Sequence, residues 1–198
     1  MGKIQNVFSL RELHKLLEQI DDKNKTMVWF DFDLCLVQPH HSNDEKDVLI
    51  EPQTTKKLFE YMMKHGINFA IVTARFYDTA CNNKKRNLAD IKNNIETSIF
   101  PILEELGIDI TAYKDKNLDD QLHLIKNEKG KTVGLLYKGI VFSNFKGQAI
   151  KHYRRQFDWD KKHTTNIFID DIDTYLNSVS KHVPEAIVLR RHISAPLI

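Results

Sequence analysis

Met27-Val28-Trp29-Phe30-Asp31-Phe32-Asp33 is a run of large apolar side chains that ends in two aspartates set one residue apart. An uninterrupted apolar run reads as a strand buried on both faces, and a buried sheet interior does not tolerate carboxylates. The acids therefore belong at a cleft. In an open parallel α/β sheet that cleft lies beyond the carboxyl ends of the strands. The fold is decided by whether other strands deliver complementary groups to the same edge.

Working outward, the chain alternates strand and helix patterns. Ser9 with Glu12 is a capping-box pair that opens a helix carrying Leu10, Leu13, Leu17 and Ile20 on one face. After the Asp31 strand comes a polar loop through His40, His41 and Asn43, then a helix entered at Pro52 and stopped by Gly66, with Leu58, Phe59 and Met62 inward. Ile67 to Val72 is the next strand. Helical spacing runs from about Asn87 to Leu106 in Leu88, Ile91, Ile95, Ile99 and Leu103, with a break expected at Pro101 and a stop at Gly107. Strands are predicted at Gly139 to Phe142, at Ile167-Phe168-Ile169 before Asp170-Asp171, and at Ala186 to Leu189, with a helix from Lys146-Gly147 through Arg155. This alternation predicts βαβ units forming one mainly parallel sheet covered by helices on both sides, a Rossmann-like three-layer α/β/α arrangement.

Bulk properties bound the function. With 198 residues, 41% hydrophobic and 28% charged, the composition suits one soluble globular domain over 1–198. A net charge of +2 is too balanced for a dedicated nucleic-acid binder. Cys35 and Cys81 are the only cysteines, which gives no disulfide framework and no zinc-ligand spacing. Neither a leader-type apolar segment nor a bilayer-length run is present, so a cytoplasmic protein without membrane insertion is expected, export by a signal-free route staying open.

Four strand ends now carry chemistry: Asp31 and Asp33 in VWFDFDLCLV, Thr73 in FAIVTAR, Lys146 in FSNFKGQ, and Asp170 with Asp171 in IFIDDID. In that order they resemble the four motifs of the haloacid dehalogenase superfamily, across most of the chain. The pieces TAR, LEELGI, YKGIVFSNFKG and FIDD look closest to a subgroup of small, poorly characterised members from intracellular bacteria. The resemblance implies a Mg²⁺-dependent phosphohydrolase with little or no cap, any cap being a small insertion within 76–138. Asp31 would be the nucleophile that forms an aspartyl-phosphate, and Asp33 the general acid and later base, a role that calls for a carboxyl with a raised pKa. The Thr73 hydroxyl and nearby backbone N–H groups, that of Ala74 among them, would donate to phosphoryl oxygens, with Lys146 adding positive charge. The metal ligands would be the Asp31 carboxylate, the Asp33 backbone carbonyl and Asp171, with Asp170 acting through water or holding the network.

The physical case stands beside the name. A phosphate dianion among several carboxylates needs a divalent cation, and oxygen donors without a His or Cys cluster favour a hard ion such as Mg²⁺. Strand alternation gives Asp170 and Asp171 different jobs. Taken singly, each motif has an ordinary reading: a solvated acidic loop for Asp31 and Asp33, a helix cap for Thr73 or the 170/171 pair, a surface lysine for Lys146. Cys35 stands where the family usually has Thr or Val and reads as a core thiol. Arg75 reads as a surface charge, though it lies within reach of a phosphate; His40 and His41, and the basic groups Lys84, Lys85, Arg86, Lys114 and Lys116, read as solvated. Trp29 and the aromatic stretch from Tyr153 to Trp159 read as packing. A phosphorylated small molecule, a phosphoprotein and a nucleic-acid end all fit as substrate. A catalytically silent binding module and a phosphotransferase are the alternatives.

Overall fold

The computed structural model of the chain describes residues 4–39, 47–75, 77, 88–108, 121–156 and 158–192. In chain order the elements are β1 (Gln5–Val7), α1 (Leu10–Glu18), β2 (Thr26–Phe30), β3 (Val37–Gln38), β4 (Val48–Leu49), α2 (Pro52–Lys64), β5 (Asn68–Thr73), α3 (Leu88–Ser98) and α4 (Phe100–Glu105). They continue with β6 (His123–Lys126), β7 (Thr132–Tyr137), β8 (Ile140–Phe142), α5 (Lys146–Gln156), α6 (Trp159–Lys162), β9 (Thr165–Asp170), α7 (Asp173–His182) and β10 (Ile187–Arg191). His40, His41, Asn43, Cys81, Lys84, Lys85, Arg86, Lys114 and Lys116 lie outside the described residues.

The central sheet has eight strands in the order β1-β10-β9-β2-β5-β8-β7-β6. From β1 to β8 all neighbours are parallel, and β7 and β6 extend the sheet antiparallel. The chain lays β5 and β8 on one side of β2, then crosses to lay β9 and β10 on the other. That reversal makes β2 the topological switch point of the sheet, the place where open α/β sheets bind their ligands.

Strand alternation sorts the apolar side chains into two cores. Val28, Phe30, Phe69, Ile71, Ile167 and Ile169 pack with α1, α2 and α4 on one face. Met27, Trp29, Ala70, Val72 and Phe168 pack with α5, α6 and α7 on the other. Leu10, Leu13, Leu17, Leu58, Phe59 and Met62 are fully buried, as their helical spacing predicts. Trp29 is buried against Tyr153 and Trp159, its indole N–H donating to Asn166 Oδ1 at 3.2 Å. Loss of so large a core side chain costs about 3–5 kcal/mol.

Local chemistry explains the boundaries. Ser9 caps α1, its hydroxyl accepting from the Arg11 N–H at 3.2 Å. The capping-box reading needs correction in one detail: Glu12 accepts from the Phe8 N–H, not from that of Ser9. Gly66 ends α2 at φ +66°, and the Ile67 N–H reaches back to the Met62 carbonyl at 2.9 Å, a turn that a β-branched residue at 66 would strain. The helical stretch after 87 is divided at Ile99, just before Pro101. β1, β6, β7 and the short β3–β4 hairpin are strands beyond those the sequence pattern predicts. Residues 121–138 form the β6–β7 hairpin at the sheet edge. Among the described residues no helix is long and apolar enough to cross a membrane.

Candidate functional site

Parallel pairing brings the strand ends into one row. Phe30 pairs with Ile169 on one side and Ile71 on the other, so Asp31 emerges beside Asp170, with the end of β5 flanking it. The Asp31 N–H donates to the Ile169 carbonyl at 2.9 Å, which extends the β2–β9 ladder to the point where the acids begin. Asp31 and Asp170 each follow a residue of the first core, so both side chains turn toward the α5 face.

Lys146, the first residue of α5, meets them there. The turn that delivers it is built by Ser143, whose N–H donates to the Thr73 carbonyl and whose hydroxyl accepts from the Phe145 N–H at 2.7 Å. Lys146 Nζ lies 2.5 Å from Asp31 Oδ1 and 2.7 Å from Asp170 Oδ2, and is only 1% exposed. The Tyr175 ring covers the ammonium, its centroid 4.3 Å away. Lys146 is thus a buried bridge between two carboxylates.

Burial dominates the electrostatics. It pushes the Asp31 carboxyl up to about 8, with Lys146 opposing and Asp170 and Asp33 adding to the rise. Asp170 and Asp171 are also raised, chiefly by burial. Burial works against the Lys146 ammonium too, yet Asp31 and Asp170 together hold it above the ordinary lysine range. A single ammonium faces Asp31, Asp170 and Asp171, so the pocket has an excess of negative charge when these acids ionise.

The acidic pair divides as strand geometry requires. Asp170 is fully buried, bound to Lys146 and accepting at Oδ1 from the Ile172 N–H at 2.9 Å. Asp171 is half-buried, and one of its oxygens lies with an Asp31 oxygen and Cys35 Sγ in a group whose members are all within 4.8 Å of one another. Cys35 is fully buried, and burial together with Asp31 pushes its thiol well up, so it stays protonated. Two carboxyl groups and a neutral thiol form a group that could hold a metal ion, the thiol departing from the all-oxygen set the sequence predicts.

Thr73 is fully buried at the end of β5, its hydroxyl accepting from the Arg75 N–H at 3.1 Å; Ala74 follows it, half-buried, at the same edge. Asp33 sits on the turn after β2, its side chain 31% exposed and paired with Arg75. Arg75 is not the surface charge its place at a loop start suggested. Its Nε donates to Asp33 Oδ1 and Oδ2 at 2.7 and 2.8 Å, its Nη2 also donates to Oδ1, and its Nη1 donates to Asp47 Oδ2 at 2.5 Å. The sequence offered no sign of Asp47 or of Tyr175, whose places depend on the tertiary fold. No family model, curated protein or solved structure matches this chain.

Proposed function

We propose that this chain is a Mg²⁺-dependent phosphohydrolase of haloacid-dehalogenase type, acting on a phosphomonoester through an aspartyl-phosphate. The observation that carries this reading is the buried Asp31–Lys146–Asp170 bridge at the switch point of the sheet, with Thr73, Asp33 and Asp171 at the same edge. A purely structural acid cluster gains nothing from being gathered at the topological switch point of the sheet.

In this reading an Asp31 carboxylate oxygen bonds to phosphorus as the ester P–O bond breaks. Asp33 gives a proton to the departing oxygen, which leaves as an alcohol. Asp33 then takes a proton from water as the water oxygen displaces Asp31 from phosphorus, which returns the Asp31 carboxylate and releases inorganic phosphate. Lys146 holds Asp31 in place and offers positive charge to the equatorial phosphoryl oxygens; Thr73 and the Ala74 N–H supply donors at the end of the neighbouring strand. Asp31, Asp171 and the Asp33 carbonyl would hold Mg²⁺, whose charge permits a dianion to approach these carboxylates. Asp170 orients Lys146 and stands outside the ligand set. Removal of Lys146 or of the Thr73 hydroxyl lowers turnover by about 10²–10³.

The test is hydrolysis of p-nitrophenyl phosphate by the purified chain, with Mg²⁺ and with EDTA, beside Asp31→Asn. Turnover that needs Mg²⁺ and vanishes in the variant is expected. Equal rates in all samples, or none in any, would overturn the reading and leave a metal-binding or silent module.

A further inference from the structure

Arg75 takes no part in the chemistry just described, yet its side chain is held on several sides beside Asp33. Its guanidinium is pinned from three directions and its backbone is fixed as well. Asp33 holds Nε and Nη2, Asp47 holds Nη1, the Phe32 ring lies beneath it at 5.0 Å, and its own backbone N–H is fixed by the Thr73 hydroxyl. Asp33, by contrast, has little of its own to hold it: it lies on a tight turn followed by Leu34 at φ +58°, and its side chain is partly open to solvent.

We propose that Arg75 and Asp47 are positioning residues for Asp33, and that they tie its alignment to the base of the β3–β4 hairpin. The proposal rests on the phosphohydrolase reading and deepens it. A closed circuit of contacts carries it. From Asp33 the chain turns into β3, with the Leu34 N–H donating to the Val37 carbonyl at 2.8 Å. The β3 strand pairs with β4 through Gln38 and Val48, Asp47 immediately precedes β4, and Asp47 binds Arg75, which returns to Asp33.

The pattern of donors assigns roles to the two Asp33 oxygens. Oδ1 receives both Nε and Nη2, while Oδ2 shares Nε alone. Oδ2 is therefore the oxygen left with room for a further contact, on the side open to substrate. A planar guanidinium fixes the plane of the carboxylate as well as its position; a lysine, with one point of charge, fixes neither. Asp47 keeps that plane from turning.

A staple that only held the hairpin would affect all substrates alike, whereas an aligned acid matters most when the leaving group is a poor one. The experiment measures kcat/KM for p-nitrophenyl phosphate, phenyl phosphate and an alkyl phosphate with the wild-type chain, Arg75→Met, Arg75→Lys and Asp47→Asn. Arg75→Met is expected to lose about 10² on the alkyl ester and under about threefold on the nitrophenyl ester, whose leaving group departs without a proton. Arg75→Lys and Asp47→Asn should show the same trend with smaller losses, and they carry the test if Arg75→Met does not fold. Equal losses across the esters, or none, overturn the positioning role while leaving the phosphohydrolase reading intact. Absence of turnover by the wild type on every ester overturns both.

Discussion

Gly147 is pressed against the backbone of Ser178: a β-carbon built on it would lie 2.2 Å from the Ser178 carbonyl oxygen. No side chain fits there, and the obstacle is backbone, which cannot swing aside. The contact sets how closely α5 lies on α7, and Lys146 is the residue directly before it. Gly147→Ala should therefore force the two helices apart, costing about 1–3 kcal/mol in urea unfolding, the range for overpacking a tight interior. Activity on p-nitrophenyl phosphate should fall further than stability does, because Lys146 is moved off Asp31. A variant with wild-type stability and rate would show that α5 is free to shift.

Asp31 gives the pH dependence of stability a definite sign. Its folded pKa of about 8 lies above its ordinary 3.8, so the folded chain holds this proton more tightly than the unfolded chain does. Stability from this carboxyl is complete below about pH 4 and is lost as pH rises through about 8. Asp31→Asn has no proton to lose. In metal-free buffer the variant should gain on the wild type steadily from pH 5 to pH 8, by thermal melts at each pH. The lost contact to Lys146 adds only a constant offset, because that ammonium stays charged across the whole window. A difference in melting temperature that did not change with pH would contradict the raised carboxyl.

How far the sequence discloses this molecule depends on the range of the forces involved. β2, β5 and β9 are legible because each is buried on both faces, so each is an unbroken apolar run that must end where polar groups begin. Asp31, Thr73, Asp170 and Asp171 are legible for the same reason, as strand ends. β1 was not, since only Val7 of its residues turns inward and a single apolar residue has no period. The β7–β8 hairpin did leave a signal, two apolar runs separated by Lys138-Gly139, both at positive φ, but only the second run was read as a strand. Arg75 was misread for a deeper reason. Its partner Asp33 lies 42 positions away and Asp47 lies 28, and a pattern that brings two strand ends to one edge does not say which side chains meet there.

Lys146 neutralises two buried acids at once, and its removal should be costly in a way that depends on pH. Lys146→Met keeps the unbranched apolar stem and leaves Asp31 and Asp170 buried without a counter-charge. Above about pH 8, where Asp31 is ionised, the expected loss is about 3–5 kcal/mol, the cost of an uncompensated buried charge. At pH 5 the loss should shrink, because both raised carboxyls accept protons more readily than ordinary aspartates. Adding Asp31→Asn to Lys146→Met should restore part of the stability, a coupling of about 0.5–3 kcal/mol. Strict additivity of the two changes would mean that the bridge does not form in solution.

The two acids that follow β9 should separate cleanly in their response to Mg²⁺. The Asp171 carboxylate shares a ligand-sized space with Asp31, while Asp170 is committed to Lys146 and to the Ile172 N–H. A cation bound only by the folded chain raises its stability by about 2.7 kcal/mol at a hundred times its dissociation constant. The wild type should melt higher as Mg²⁺ is added, and Asp171→Asn should lose that rise while its metal-free melting temperature stays near the wild-type value. Asp170→Asn should behave in the opposite way, with a lower metal-free melting temperature and a Mg²⁺-dependent rise that persists. If Asp170→Asn abolishes the rise and Asp171→Asn does not, the ligand is Asp170, and the division of labour argued from strand alternation is reversed.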